Sequence, residues 1–177
     1  SGKIFARYWM HNGFITVDNE KMSKSAGNFF TVREISEKFP YEVIRFFILS
    51  EHYRMPLNFS DTLMQASQNG LERIKNSAAS LEYYINNCSA ETKADDEENS
   101  KALQGFLTQF ETAMDDDFNT ADAITAIYEL VKFINVKVKE EFSKKSAVEA
   151  KKLLDELCSV LGILQQKDEK AEDPETE

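Results

Sequence analysis

The sequence predicts a mainly α protein: a small hairpin-and-helix module, then an antiparallel helical bundle, then a disordered acidic tail. Three observations carry this expectation. Glycine and proline are scarce, at 6 and 3 in 177 residues, which disfavours a many-stranded β fold. Apolar residues recur at spacings of three and four along several long stretches after residue 60, the period of a buried helix face. Cap-forming residues stand where those stretches begin. A hydrophobic content of 42%, with 13 Phe and 6 Tyr, suffices for one substantial core or two small ones. The expected units are 1–59 for the module, 60–165 for the bundle and 166–177 for the tail.

Each element has its own signal. Residues 3–11 carry Phe5, Tyr8, Trp9 and Met10 and are expected as a short helix or strand. His11-Asn12-Gly13 ends it, with Gly13 as a left-handed cap. Phe14-Ile15-Thr16-Val17 is a β-type run, Asp18-Asn19-Glu20 a turn, and Lys21-Met22 the start of a second strand. Thr31-Val32-Arg33-Glu34 is a capping-box pattern that opens a helix over 32–38. Pro40 opens the next helix. Its Val43, Ile44, Phe46, Phe47 and Leu49 leave little polar face, so it is expected to be buried. Residues 51–59 read as a loop around Pro56.

Ser60-Asp61 caps the first long helix, whose seam is Leu63, Ala66, Gly70, Ile74, Ala78, Leu81 and Ile85. Residues 89–98 read as a polar, acidic linker. The second long helix carries Leu103, Phe106, Leu107, Phe110 and Met114. Asp115-Asp116-Asp117-Phe118-Asn119-Thr120 breaks it, and Thr120 caps the third, with Ile124, Ile127, Val131, Ile134 and Val138. Ser146 caps the fourth, with Leu153, Leu157, Val160, Leu161 and Leu164. The last twelve residues have Ala171 as their only member of the hydrophobic set AVILMFWYC and cannot offset the entropy of ordering.

A net charge of −10 argues against a general nucleic-acid binder. The acid is concentrated in 89–118 and in the tail, which leaves the first sixty residues slightly basic. No apolar run approaches the ~20 residues of a membrane helix. Cys88 and Cys158 are read as ordinary reduced thiols, so the expected compartment is the cytoplasm and no metal site is assigned. Asp115, Asp116 and Asp117 are read as a helix break, since three consecutive carboxylates cannot all face one ion from a regular helix.

The chemistry points to Lys21-Met22-Ser23-Lys24-Ser25, followed by Gly27-Asn28. Two ammonium groups on flexible stems can reach phosphate oxygens, and small neighbours let backbone N–H groups approach as well. The plain alternative is a polar turn with solvated lysines.

The same five residues resemble the signature loop of class I aminoacyl-tRNA synthetases. Flanking blocks resemble the cysteinyl-tRNA synthetase family in particular. They are Tyr8-Trp9-Met10-His11-Asn12-Gly13-Phe14, Gly27-Asn28-Phe29-Phe30-Thr31-Val32-Arg33, Val43-Ile44-Arg45-Phe46-Phe47-Ile48-Leu49-Ser50 with His52-Tyr53-Arg54, and Met114-Asp115-Asp116-Asp117-Phe118-Asn119-Thr120. The resemblance covers roughly 5–125; the last forty residues fit by helical pattern alone.

It implies a segment of an enzyme that joins cysteine to the α-phosphate of ATP, with Mg2+, and passes it to the 3′ end of tRNA(Cys). Lys21 and Lys24 would be catalytic, with Lys24, Lys21, Ser23, Ser25 and Met22 around ATP. Arg33, Arg45 and Arg54 would contact tRNA phosphates, with salt bridging or solvation as the alternative for each. The family's Rossmann motif and its cysteine-selecting Zn2+ ligands have no counterpart here, and His11 and His52 lie in no such motif. The segment is therefore expected to be inactive alone, with a monomer favoured. Its signature loop is expected to lack fixed order without the docking surface of the Rossmann half. Two other readings stand beside this one. One is a segment of the related ligase that activates cysteine for an amino sugar in mycothiol synthesis. The other is a non-catalytic helical module that binds RNA or protein.

Overall fold

A computed structural model describes residues 4–89, 91–140 and 142–164. The tail assigned to 166–177 lies outside them. β1 (Ile15–Val17) and β2 (Glu20–Lys21) form the expected hairpin, with Thr16 opposite Lys21 and Val17 opposite Glu20. Asp18 and Asn19 both take positive φ, 49° and 66°. These residue types tolerate that region, and such two-residue turns match the twist of the flanking strands.

The loop expected over 51–59 contains a strand. β3 (Leu57–Phe59) runs parallel to β1, with Ile15 opposite Leu57, and the sheet order is β2-β1-β3. Three residues are too few to show alternation, and the partner is distant in sequence. The element expected over 3–11 is corrected as well: among the described residues, 4–14 form no helix or strand. Ile4, Phe5, Tyr8 and Trp9 are exposed, with no packing surface to stabilise one.

Gly13 is not a left-handed cap. Its role is close approach: a Cβ there would lie 2.1 Å from the Met55 carbonyl oxygen. Its N–H donates to the Tyr53 carbonyl at 2.7 Å.

α1 (Val32–Ser36) carries the capping box. Thr31 Oγ1 accepts from the Glu34 N–H, and Glu34 Oε2 accepts from the Thr31 N–H. These bonds from Thr31 hold the Glu34 carboxyl below its ordinary range. α2 (Tyr41–Leu49) starts at Pro40 and buries Val43, Ile44, Phe46 and Phe47. Tyr41 and Ile48 stay exposed, so only one face of this helix is covered.

Four long helices follow: α3 (Asp61–Asn87), α4 (Asp96–Asp115), α5 (Thr120–Lys139) and α6 (Lys144–Leu161). The short connections after α4 and α5 turn the chain back on itself, as bundle neighbours require. α5 packs against α3, α4 and α6. Its Ile127, Leu130 and Ile134 are fully buried with Met64, Leu71 and Ile74 of α3 and Leu154 and Leu157 of α6. The α3 seam differs from the expected one. Met64, Leu71, Ile74, Ser77 and Leu81 are buried while Leu63 is exposed, because adjacent Leu63 and Met64 leave the first turns ambiguous by one residue.

Two caps move. Asn119, not Thr120, caps α5 by accepting from the Asp122 N–H. Ser143, not Ser146, caps α6, because Ser143 Oγ accepts the Ser146 N–H at 3.1 Å. α6 ends at Gly162, at φ 66°. Cys158 is buried inside it, and burial pushes its thiol up to about 12. That keeps it protonated and inert. Among the described residues no helix is long and apolar enough to cross a membrane.

The largest correction concerns the supposed linker at 89–98. α4 already begins at Asp96, and Asp96 is buried. Its Oδ1 accepts from the hydroxyls of Ser143 and Ser146, and its Oδ2 accepts the Lys93 N–H at 3.0 Å. Donors from the α6 start thus meet a carboxylate at the α4 start and close that end of the bundle. The bonds from Ser143, from the Lys93 backbone and from Ser146 hold the Asp96 carboxyl below its ordinary value of 3.8. An ionised carboxylate with a depressed value stabilises the fold above its unfolded value. That contribution is lost as pH falls through the folded one. We therefore expect the melting temperature to drop more steeply on acidification from about pH 5 to about pH 2 in the native chain than in Asp96→Asn. Parallel profiles would refute this role.

Candidate functional site

The signature loop leaves β2 at Lys21 and returns at Asn28. One side chain ties its ends: Asn28 Oδ1 accepts the Ser23 N–H at 2.9 Å, and Asn28 Nδ2 donates to the Lys21 carbonyl at 3.2 Å. Inside, the Ala26 N–H donates to Ser23 Oγ at 3.2 Å, and the hydroxyls of Ser23 and Ser25 lie 3.3 Å apart. The Gly27 N–H closes on the Lys24 carbonyl, with Gly27 at φ 71°, where glycine carries no steric cost. These hydrogen bonds all lie within the loop itself. Asn28 supplies the closure.

Lys21, Lys24 and Ser25 are exposed; Met22 and Ser23 are half-buried. Lys24 Nζ rests 5.3 Å from the Phe29 ring centroid, a weak and easily exchanged contact at an exposed site. Among the described residues neither lysine has a carboxylate within ion-pair distance. Two exposed ammonium groups, with the Ser23 hydroxyl between them in sequence and the Ser25 hydroxyl just beyond, are groups of the kind that can bind a multiply charged anion.

The three arginines sit on separate elements: Arg33 on α1, Arg45 on α2 and Arg54 in the loop before β3. Arg33 and Arg45 are exposed, and Arg45 lies against Gly162 at the end of α6. Arg54 is engaged. Its Nε donates to the Tyr53 hydroxyl at 2.9 Å and meets Asp117 Oδ2 at 2.7 Å. These two partners hold its guanidinium more firmly charged. Lys137 is likewise occupied, between Asp95 and Glu140.

Asp117 was legible only as part of a helix break. It also accepts from the Tyr53 hydroxyl at 2.8 Å and faces His52 Nε2 at 3.9 Å. No periodicity could have shown this contact, and Asn28 was legible only as a neighbour that follows the motif. Among the described residues no group of three His, Cys, Asp or Glu side chains could hold a metal ion.

Residues 1–69 match the family described as tRNA synthetases class I (C) catalytic domain, and residues 109–165 match the DALR domain. The chain thus joins part of a class I synthetase catalytic domain, signature loop included, to a DALR domain. Among curated relatives, the cysteine–tRNA ligase of Clostridioides difficile is 49% identical over 165 residues, 93% of this chain and 35% of that protein. Those of Lachnospira eligens and Caldicellulosiruptor saccharolyticus are 45% and 46% identical, over 100% and 97% of this chain and 38% and 37% of theirs. The chain belongs to the cysteine–tRNA ligase family and spans little more than a third of the length of these members. The crystal structure of an Agrobacterium radiobacter LeuRS–tRNA–LeuAMS complex shares the fold, with TM-score 0.67 and 24% identity, over 87% of this chain and 22% of that one.

Proposed function

We propose that this chain is a working part of a cysteine–tRNA ligase, supplying its ATP-contacting loop and a tRNA-facing bundle. The observation that carries the reading is the closed loop at 21–28 with two exposed, unneutralised lysines, set in a chain whose curated relatives bear that name. In the parent reaction the cysteine carboxylate attacks the α-phosphate of ATP, and pyrophosphate leaves. Negative charge grows on the leaving group, and fixed positive groups aimed at it lower the barrier.

Lys24, at the tip, is placed against the departing phosphates, with Lys21 behind it at the end of β2. The hydroxyls of Ser23 and Ser25 donate hydrogen bonds to phosphate oxygens. Met22 is the apolar anchor of the loop against its hairpin. Mg2+ comes with the nucleotide, and a Zn2+ that selects cysteine would be held by parts of the ligase outside this segment.

Arg33 and Arg45 remain candidate tRNA phosphate contacts. Arg54 does so only if it leaves Asp117, so we rank it below them. The bundle begins at residue 60 on this reading, and the chain acts in the cytoplasm as part of a monomer. The named relatives favour tRNA over an amino sugar as acceptor.

The test is a chimaera in which this segment replaces the matching stretch of the Clostridioides difficile ligase. It should support cysteine-dependent pyrophosphate exchange and charge tRNA(Cys), while the isolated segment does neither. Exchange that depends on another amino acid, or no exchange from a folded chimaera, overturns the reading.

A further inference from the structure

Asp117 lies in the bundle, yet its carboxylate serves residues of the catalytic-type module. Tyr53 and Arg54 both contact it directly, and His52, stacked on Tyr53 at 4.9 Å, faces it. Asp117 and the next residue, Phe118, hold positive φ values of 55° and 57°. Asp visits this region readily, but a bulky residue such as Phe118 there is a backbone strain that the surroundings must impose.

The segment held by Asp117 is in turn built into the hairpin scaffold. The Tyr53 carbonyl accepts the Gly13 N–H, and the Leu57 N–H donates to the Phe14 carbonyl at 2.9 Å. From there β3 pairs with β1, β1 with β2, and β2 ends at Lys21. A cleft lined by Met10, Gly13, Ile15, His52, Met55 and Phe118 runs along the same seam.

We propose that Asp117 is a positioning residue: it latches the 52–54 segment to the bundle and so sets where the hairpin presents Lys21 and Lys24. It touches no substrate. The role rests on the adenylation function proposed above, but the latch itself is measurable without it.

Asp117→Asn is the informative variant, since asparagine tolerates the left-handed backbone while losing the charge that faces Arg54. In the 177-residue chain, hydrogen exchange at the Gly13 and Leu57 amides should quicken about ten-fold or more, with amides inside α5 unchanged. In the chimaera, kcat for pyrophosphate exchange should fall about ten-fold, with the KM for cysteine unchanged. Arg54→Ala should produce the same fall, and the double variant no further one, because the two residues act as a unit. Unaltered protection of Gly13 in Asp117→Asn overturns the latch, whatever the enzyme does. Additive losses in kcat overturn it too. A wild-type chimaera without activity overturns the adenylation reading, and the amide exchange then still decides the latch.

Discussion

Replacing Lys24 with alanine in the chimaera slows cysteine-dependent pyrophosphate exchange by about 10²–10³-fold, the usual cost of removing one preorganised group that stabilises transition-state charge. The geometry makes this expectation specific. Lys24 projects from a turn closed by the hydrogen bonds of Asn28 and Ser23. Among the described residues its ammonium group has one partner, the face of Phe29, at 5.3 Å. Trading that contact for a phosphate costs little, so nearly all the new attraction is available as charge grows on the leaving group. The loss should appear in kcat, with the KM for cysteine little changed. Equal exchange rates in wild type and Lys24→Ala would remove the loop from the chemistry.

Gly13→Ala should cost about 3 kcal/mol of stability, the upper end for forced overpacking. The added carbon would meet backbone on every near side: Met55 O at 2.1 Å, Met55 C at 2.4 Å and Pro56 N at 2.9 Å. No rotamer change relieves a clash with main chain, so β1 or the 53–56 segment must move. Either movement disturbs the pairing that carries the signature loop, so exchange activity in the chimaera should fall with stability. Chemical denaturation of the chain measures the first effect. A midpoint equal to wild type would mean that Met55 yields freely and that the close approach is not a constraint.

The sequence was most readable where information is local. The capping box at Thr31 and Glu34, the α2 start at Pro40, the Ser60 cap and the hairpin turn all follow from neighbours in sequence, and each stands in the structure. Long-range features were opaque. β3 is three residues long and gains its identity from a partner forty residues away. Asp96 sits in an acidic run that reads as solvated, yet it is buried by serines far along the chain. At the candidate site, the lysines and serines were visible as a motif. Asn28 was visible only as the residue that ends the loop's sequence block, and the link from Asp117 to Tyr53 and Arg54 left no trace, because polar contacts between distant loops impose no period. Gly13 showed that a glycine can be required and yet misread, since close approach and left-handed geometry look alike in sequence.

The parallel pairing of β1 with β3 also has a consequence for biosynthesis. The strand that supports the signature hairpin finds its neighbour only when residues 57–59 have been made, 42 residues after their partners. At ordinary elongation rates of about 5–20 residues per second, the ribosome delivers that neighbour roughly 2–8 seconds later. A two-stranded hairpin alone is marginally stable in water. The basic loop therefore emerges before the scaffold that fixes it, and its final placement waits on a strand from beyond two intervening helices.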